Sequence, residues 1–430
     1  MIKRPFLGIM KPKLNYNVVP DEVQELKVPK SVTLLLRDDN PGAGGDLEVG
    51  AKVKTGQRLS KSAESSTYVI SSVTGTISSL FPYVGSFGEV YPYGGIFEQP
   101  YTAITIDADE KDVWDDEYTG GASLDTALRF FECLPGNPSF RAFADPNTSI
   151  RMIVICGQDQ DLLLTANQAI IQNELDAIKA GVKALKDMTG VDRILLTVPE
   201  GMVQQAISTG AEAKALSAEY PSGLPHMIMK DVVGTVIPEG QTPEEAGAFF
   251  ISAEAVAALG ASVDTGRLCV TKMVSAVRKG GKATNLKVRI GTPLRVLLGA
   301  CGITVKDRDR LVLGGPMRGV ATYSDELPIE PQTDGLVVQD QQESPLLADH
   351  PCINCGECIK ICPVKIPVNM LIRFLEASLY EDARDMYELA CCIECGLCAY
   401  VCPSRIPIFQ YIQLAKRELG LREAAEAENE

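Results

Sequence analysis

Histidine is almost missing from this chain: His226 and His350 are the two among 430 residues. That scarcity weighs against zinc sites, in which paired C-x2-C units are often completed by histidine. Positive charge is also short, with 41 Lys and Arg against 56 Asp and Glu. The resulting net charge of −15 argues against nucleic acid as a partner. Long apolar runs are missing as well. The best candidate, AGAFFISAEAVAALGASV, carries Glu254, so no segment is expected to span a bilayer alone. No signal peptide is recognised, which points to a reducing compartment and away from disulfides. No G-x-G-x-x-G or Walker loop falls at a strand-to-helix junction.

Cysteine is what the chain has in order. PCINCGECIKICPVKIP is followed forty residues later by CCIECGLCAYVCPSRIP, and each reads C-x2-C-x2-C-x3-C-P. That is the spacing of bacterial two-cluster ferredoxins, whose fourth cysteine ligates the other cluster. The expected sets are Cys352, Cys355, Cys358 and Cys402 for one 4Fe–4S cluster, and Cys392, Cys395, Cys398 and Cys362 for the second. The repeat runs on through Cys-Pro-x-basic-Ile-Pro into an apolar stretch in both copies. NMLIRFLEASLYEDARDMYELA has helical apolar spacing and no Pro or Gly, so the clusters should sit between helices. Lys360, Lys365 and Arg405 are candidates to offset cluster charge, with ordinary solvated charge as the alternative. Cys391 falls outside the spacing and reads as structural, as do the scattered Cys133, Cys156, Cys269 and Cys301.

Residues 27–110 read as all-β, with VTLLLR, YVISSV, GTISSL and YTAITID separated by Gly and Pro signals. LEVGAKVKTGQRLSKS followed by SSVTGTISSLF resembles the lipoyl/biotinyl barrel-sandwich fold, without a lysine at the hairpin tip. From about residue 150 strands and helices alternate. RMIVIC, a long amphipathic helix through TANQAIIQNELDAIKAGVKALKDMTG ending at Gly190, RILLTV, and a helix through GMVQQAISTGAEAKALS make a βαβ unit. TPEEAGAFF offers a capping box, Thr242 with Glu245, and Pro243 at the first helical position. Residues 267–303 suggest strand, basic turn, strand and helix, a β-grasp-like module. LVLGGPMRGVA reads as a tight turn against a neighbouring domain, with ligand lining as the alternative. REAAEAENE reads as a frayed, solvated tail.

This order of parts, with NLKVRIGTPLRVLL, LVLGGPMRGVA and the two cysteine motifs ending in CPSRIPIFQYIQLAK, resembles the RnfC family. That family supplies the peripheral subunit of the Rnf ion-translocating electron transport complexes, and is similar to the NADH-binding flavoprotein subunit of respiratory complex I. The resemblance implies a multidomain α/β chain. Its expected parts are a lipoyl-like β barrel-sandwich at 1–118, a Rossmann-like α/β domain at 119–264, an SLBB (β-grasp-like) module and connector at 265–345, an α-helical two-cluster ferredoxin domain at 346–420, and an acidic tail at 421–430. It implies a peripheral position on the cytoplasmic face of the cell membrane, the other Rnf-type membrane subunits as partners, and FMN and NAD(H) as further cofactors.

Two stretches depart from the family pattern. FECLPGNPSFRAFADPN stands where a glycine-dense loop is usual, and CGQDQDLLLTANQ replaces an acidic signature. Pro225 and His226 take positions that are usually acidic and basic. Asp159 and Asp161 are expected to put negative charge at a helix entry, where a phosphate would lie. The leading expectation is therefore an electron-transfer subunit that links electron flow to Na⁺ or H⁺ movement, relaying through two 4Fe–4S clusters from a ferredoxin-like or cytochrome partner. The alternatives are an FMN-containing NADH-oxidising or NAD-reducing subunit with a diverged nucleotide site, and a mainly structural docking subunit.

Overall fold

The two-residue period of a strand buries Val32, Leu34 and Leu36 of Ser31–Arg37 and leaves the residues between them half-buried. In a computed structural model of the chain, the described residues are 13–17, 22–37, 47–62, 65, 67–84, 100–322, 324–342 and 350–427. Ser31–Arg37 pairs with Pro100–Ala108, which pairs with Gly75–Val84 and then Lys52–Val53, all antiparallel. Val32, Leu34, Leu36, Ile77, Ile104 and Ile106 fill its core.

A second sheet is wholly parallel, in the order Glu212–Leu216, Ile194–Pro199, Met152–Cys156, Ala248–Ser252. The strands RMIVIC, RILLTV and GAFFIS lie where the sequence puts them. The helices partly differ. The long helix is two, Ala166–Asn173 and Leu175–Thr189, broken at Glu174, whose carboxylate accepts from Lys287 Nζ at 2.8 Å. Gly190 ends the second with φ 69°. The helix expected through GMVQQAISTGAEAKALS stops at Ile207, and Glu212–Leu216 is a strand instead. Thr209 ends it by donating its hydroxyl to the Ala206 carbonyl. Thr242 and Glu245 do form the reciprocal capping pair, at 2.7 and 2.8 Å, but it closes a turn and no helix follows.

The third sheet is mixed and six-stranded: Val23–Glu25, Ala283–Arg289, Thr271–Val277, Gly335–Gln339, Arg310–Leu313, Val320–Thr322. Helix Leu294–Ala300 buries Leu294, Leu297 and Leu298 against it. Its edge strand Val23–Glu25 comes from the N-terminal region and pairs with Asn285–Lys287. The architecture is thus mixed α/β with several cores and a helical C-terminal part.

That last part consists of helices Glu357–Ile361, Val368–Glu376, Tyr380–Tyr387, Leu397–Val401 and Ile408–Ala427. The run 369–390 breaks at Ser378, which has φ 57°. The expected tail is solvated, but it is not frayed over its described residues. The final helix continues to Ala427, because Leu419 is buried and Arg422 pairs with Glu381 while Glu423 pairs with Arg384. Residues 428–430 lie outside the described residues.

Candidate iron–sulfur site

The cysteine motifs fold alike because their special backbone positions coincide. Asn354 and Glu394 have φ 55° and 53°, and Gly356 and Gly396 follow at 74° and 72°. Each glycine opens a five-residue helix that carries the third cysteine. The fourth, Cys362 or Cys402, leaves its helix extended, at ψ 123° and 115°, ahead of the proline. That exit turns the fourth thiol away from its own three neighbours.

Two small cavities result. One is lined by Cys352, Cys355, Cys358 and Cys402. The other is lined by Cys362, Cys392, Cys395 and Cys398. The structure brings all eight sequence-predicted residues together in these two sets. Cys391 lines neither. Cys156 and Cys301 are buried elsewhere, and Cys133 donates to the Tyr68 carbonyl.

Four thiols around each cavity fit a cluster better than one ion: among the described residues, no group of three or more His, Cys, Asp or Glu converges on a single-metal position. Burial pushes the Cys395 thiol up to about 12 and the Cys392 and Cys358 thiols up to about 11. Such thiols become thiolates when a cationic centre replaces the proton. Backbone N–H groups of Glu394, Leu397 and Ala399 donate to the sulfurs of Cys392, Cys395 and Cys398, adding positive dipole where thiolate charge would lie. The residues present fit two 4Fe–4S groups.

The two sets differ in cover. Ile393 is 8% exposed and its counterpart Ile353 is 66% exposed. Cys395 is buried, whereas Cys355 is exposed. The cover over the second motif is Tyr220, Leu162, Leu224 and partly buried Met317. Tyr220 donates its hydroxyl to the Cys395 carbonyl at 2.7 Å. The LVLGGPMRGVA turn lies against both neighbours, with Met317 and Arg318 N–H donating to Asp161 at 3.2 and 2.8 Å.

Asp159 and Asp161 do not jointly guard a helix entry, and this corrects the sequence reading. Asp159 alone sits there, accepting from Asn167 N at 2.9 Å ahead of helix Ala166–Asn173. Asp161 turns away to the 314–319 turn. Burial pushes both up to about 6. Beyond the strand ends Cys156 and Ser252, where an α/β sheet takes ligands, the N–H groups of Asn167, Glu254 and Ala255 are taken by Asp159, Asn167 and Ser252 side chains. Gly136 of FECLPGNPSFRAFADPN packs so closely that a Cβ would lie 2.4 Å from Ser252 Oγ. Buried Lys272 pairs with Glu254, and with Asp334 at 2.7 Å. Pro225 opens helix Pro225–Ile228, and burial lowers the pKa of the adjoining His226, as do the charges of Lys416 and Arg318.

Lys360, Lys365 and Arg405 are exposed, and Lys365 Nζ donates to the Lys360 carbonyl. The cation that the sequence reading missed is Lys416. Its Nζ reaches the Cys392 carbonyl at 2.8 Å and Glu394 at 2.7 Å. The available signal was the forty-residue repeat, which sets Lys416 opposite Glu376. Tyr220 had no comparable signal, since it lies 175 residues from its partner.

This geometry defines an iron–sulfur protein of the two-cluster ferredoxin type, and a 4Fe–4S binding domain model matches residues 352–366 and 392–406. Over most of its length the chain is similar in sequence to C subunits of ion-translocating oxidoreductase complexes of the Rnf type. The C subunit of a proton-translocating ferredoxin:NAD(+) oxidoreductase complex from Clostridium ljungdahlii is 27% identical over 86% of this chain and 84% of that one. The C subunit of the Na(+)-translocating ferredoxin:NAD(+) oxidoreductase complex of Acetobacterium woodii is 23% identical over 52% and 53%. That of the ion-translocating oxidoreductase complex of Pectobacterium carotovorum is 27% identical over 88% and 52%. The chain thus spans about half the length of the latter two. Among solved structures, an NAD⁺-reducing [NiFe]-hydrogenase in the H2-reduced state aligns with TM-score 0.45 and 13% identity, over 68% of this chain and 62% of that one.

Proposed function

We propose that this chain is an electron-transfer subunit of a membrane-bound Rnf-type complex that couples electron flow to Na⁺ or H⁺ translocation. The observation that carries the reading is the pair of four-cysteine cavities, each assembled from both motif copies. Cys352, Cys355, Cys358 and Cys402 would hold one 4Fe–4S group, and Cys392, Cys395, Cys398 and Cys362 the other. Such groups supply one-electron transfer, which needs no acid, base or nucleophile. The protein's task is to hold them, exclude water and adjust their surroundings.

The relay is proposed to work without a nucleotide on this chain. Supporting this, the Asn167, Glu254 and Ala255 N–H groups, helix N-terminal donors that a pyrophosphate would use, bond to Asp159, Asn167 and Ser252. Electrons would enter from a ferredoxin-like or cytochrome partner at the exposed Cys355 side. Attachment would be peripheral, on the cytoplasmic face, through the other membrane subunits. Among the described residues no helix is long and apolar enough to cross a membrane. The antiparallel N-terminal sheet, the parallel sheet and the mixed sheet are read as lipoyl-like, Rossmann-like and SLBB modules.

Calorimetric titration of the cluster-loaded chain with FMN and with NADH tests the relay. No micromolar binding is expected. Micromolar binding of either, with resolved flavin bands over the broad iron–sulfur absorption, establishes the NADH-linked alternative instead.

A further inference from the structure

An offset of forty residues relates the two cysteine motifs, so their surroundings can be compared position by position. In the first copy Asn354 accepts from Asn369 Nδ2 at 2.7 Å, an exposed and neutral contact. At the matching position of the second copy stands Glu394, and it pairs with Lys416 at 2.7 Å. These side chains are 6% and 11% exposed. Lys416 also donates to the carbonyl of Cys392 at 2.8 Å. The residue matching Lys416 in the first copy is Glu376, which is exposed. One ligand loop therefore carries a buried ion pair, and its twin carries none at those positions.

We infer that Lys416 and Glu394 are positioning residues that set the redox potential of the centre at Cys362, Cys392, Cys395 and Cys398 apart from its twin's. The inference rests on the ligand sets proposed above. Buried charges act through an effective dielectric well below that of water and are little screened by salt. Reduction makes a thiolate-held centre more negative. Lys416 therefore favours the reduced form, and Glu394 opposes it. Neither charge could stay buried alone without a large desolvation cost, which explains why they come as a pair. The bond from Lys416 to the Cys392 carbonyl holds the ammonium on the ligand loop.

The two partners predict shifts of opposite sign, which a purely structural clamp would not produce. Potentiometric EPR titration of the full, cluster-loaded chain reads both centres at once. In K416Q one centre should move to more negative potential, changing its reduced-to-oxidised ratio about tenfold at fixed potential, or about 59 mV for one electron. In E394Q the same centre should move to more positive potential. K416R should stay near the wild type, and the twin centre should not move in any variant. If K416Q loses its centre, E394Q decides: an upward shift supports the inference, and no shift overturns it. Shifts of one sign in both variants, or equal shifts in both centres, also overturn it. Iron analysis separates the two levels, since about eight irons with unmoved potentials refute the inference alone, and about four in the wild type refute the ligand sets.

Discussion

Alanine at Gly356 and alanine at Gly396 impose the same backbone demand in different surroundings. The two glycines stand at φ 74° and 72° in equivalent turns. A left-handed conformation costs an L-residue about 1–2 kcal/mol, so both variants should lose that much. At Gly356 an added Cβ meets nothing within 4 Å. At Gly396 it would lie 2.5 Å from the carbonyl oxygen of Met317. That oxygen is backbone, in a turn pinned by Met317 and Arg318 N–H bonds to buried Asp161. It cannot swing aside as a side chain would, and relief requires separating the turn from the ligand loop. Overpacking of this kind adds about 1–3 kcal/mol. G356A should therefore cost about 1–2 kcal/mol and G396A about 2–5 kcal/mol in total. Guanidinium denaturation of the cluster-loaded chain, followed by loss of visible absorbance, compares them under one set of conditions. Midpoints lowered equally in both variants would refute the packing of the 314–319 turn on the second motif.

Cys402→Ala should abolish the EPR signal of the centre at Cys352, Cys355 and Cys358 and halve the iron from about eight to about four; loss confined to the centre at Cys392, Cys395 and Cys398 would sink the crossed assignment. Tyr220→Phe leaves the buried Cys395 carbonyl without its donor and should cost about 1–3 kcal/mol, measured by the same denaturation; an unchanged midpoint would show that the bond contributes nothing. Burial raises Asp161 from 3.8 to about 6. Its folded pKa exceeds its unfolded value, so its contribution is fully present below about pH 3.8 and is lost as the pH rises through about 6. Wild-type stability should therefore fall relative to Asp161→Asn across that window, by on the order of 3 kcal/mol; parallel pH profiles would contradict it.

The strands RMIVIC, RILLTV and GAFFIS were legible because a parallel sheet covered on both faces demands unbroken apolar runs. The eight cysteines were legible because their spacing acts within one turn or helix. The breaks at Glu174 and Ser378 were not. Nothing in their immediate neighbours stops a helix, and Glu174 is held by Lys287 from another sheet. The acidic end misled for a related reason: its charges are solvated as expected, but it stays helical, with Arg422 and Glu423 reaching Glu381 and Arg384 on another helix.

By itself, then, the sequence determined the cluster chemistry, the duplicated ligand loops and the alternation of strands and helices, all of which depend on contacts among near neighbours. Tertiary structure decided which of two nearly identical loops is covered, where Asp161 turns, and what packs beyond Cys156 and Ser252. The physical reason is that burial and partner charge belong to segments distant along the chain. Ile353 and Ile393 are the same residue in the same local motif, and Tyr220, Leu224 and Met317 cover the second of them.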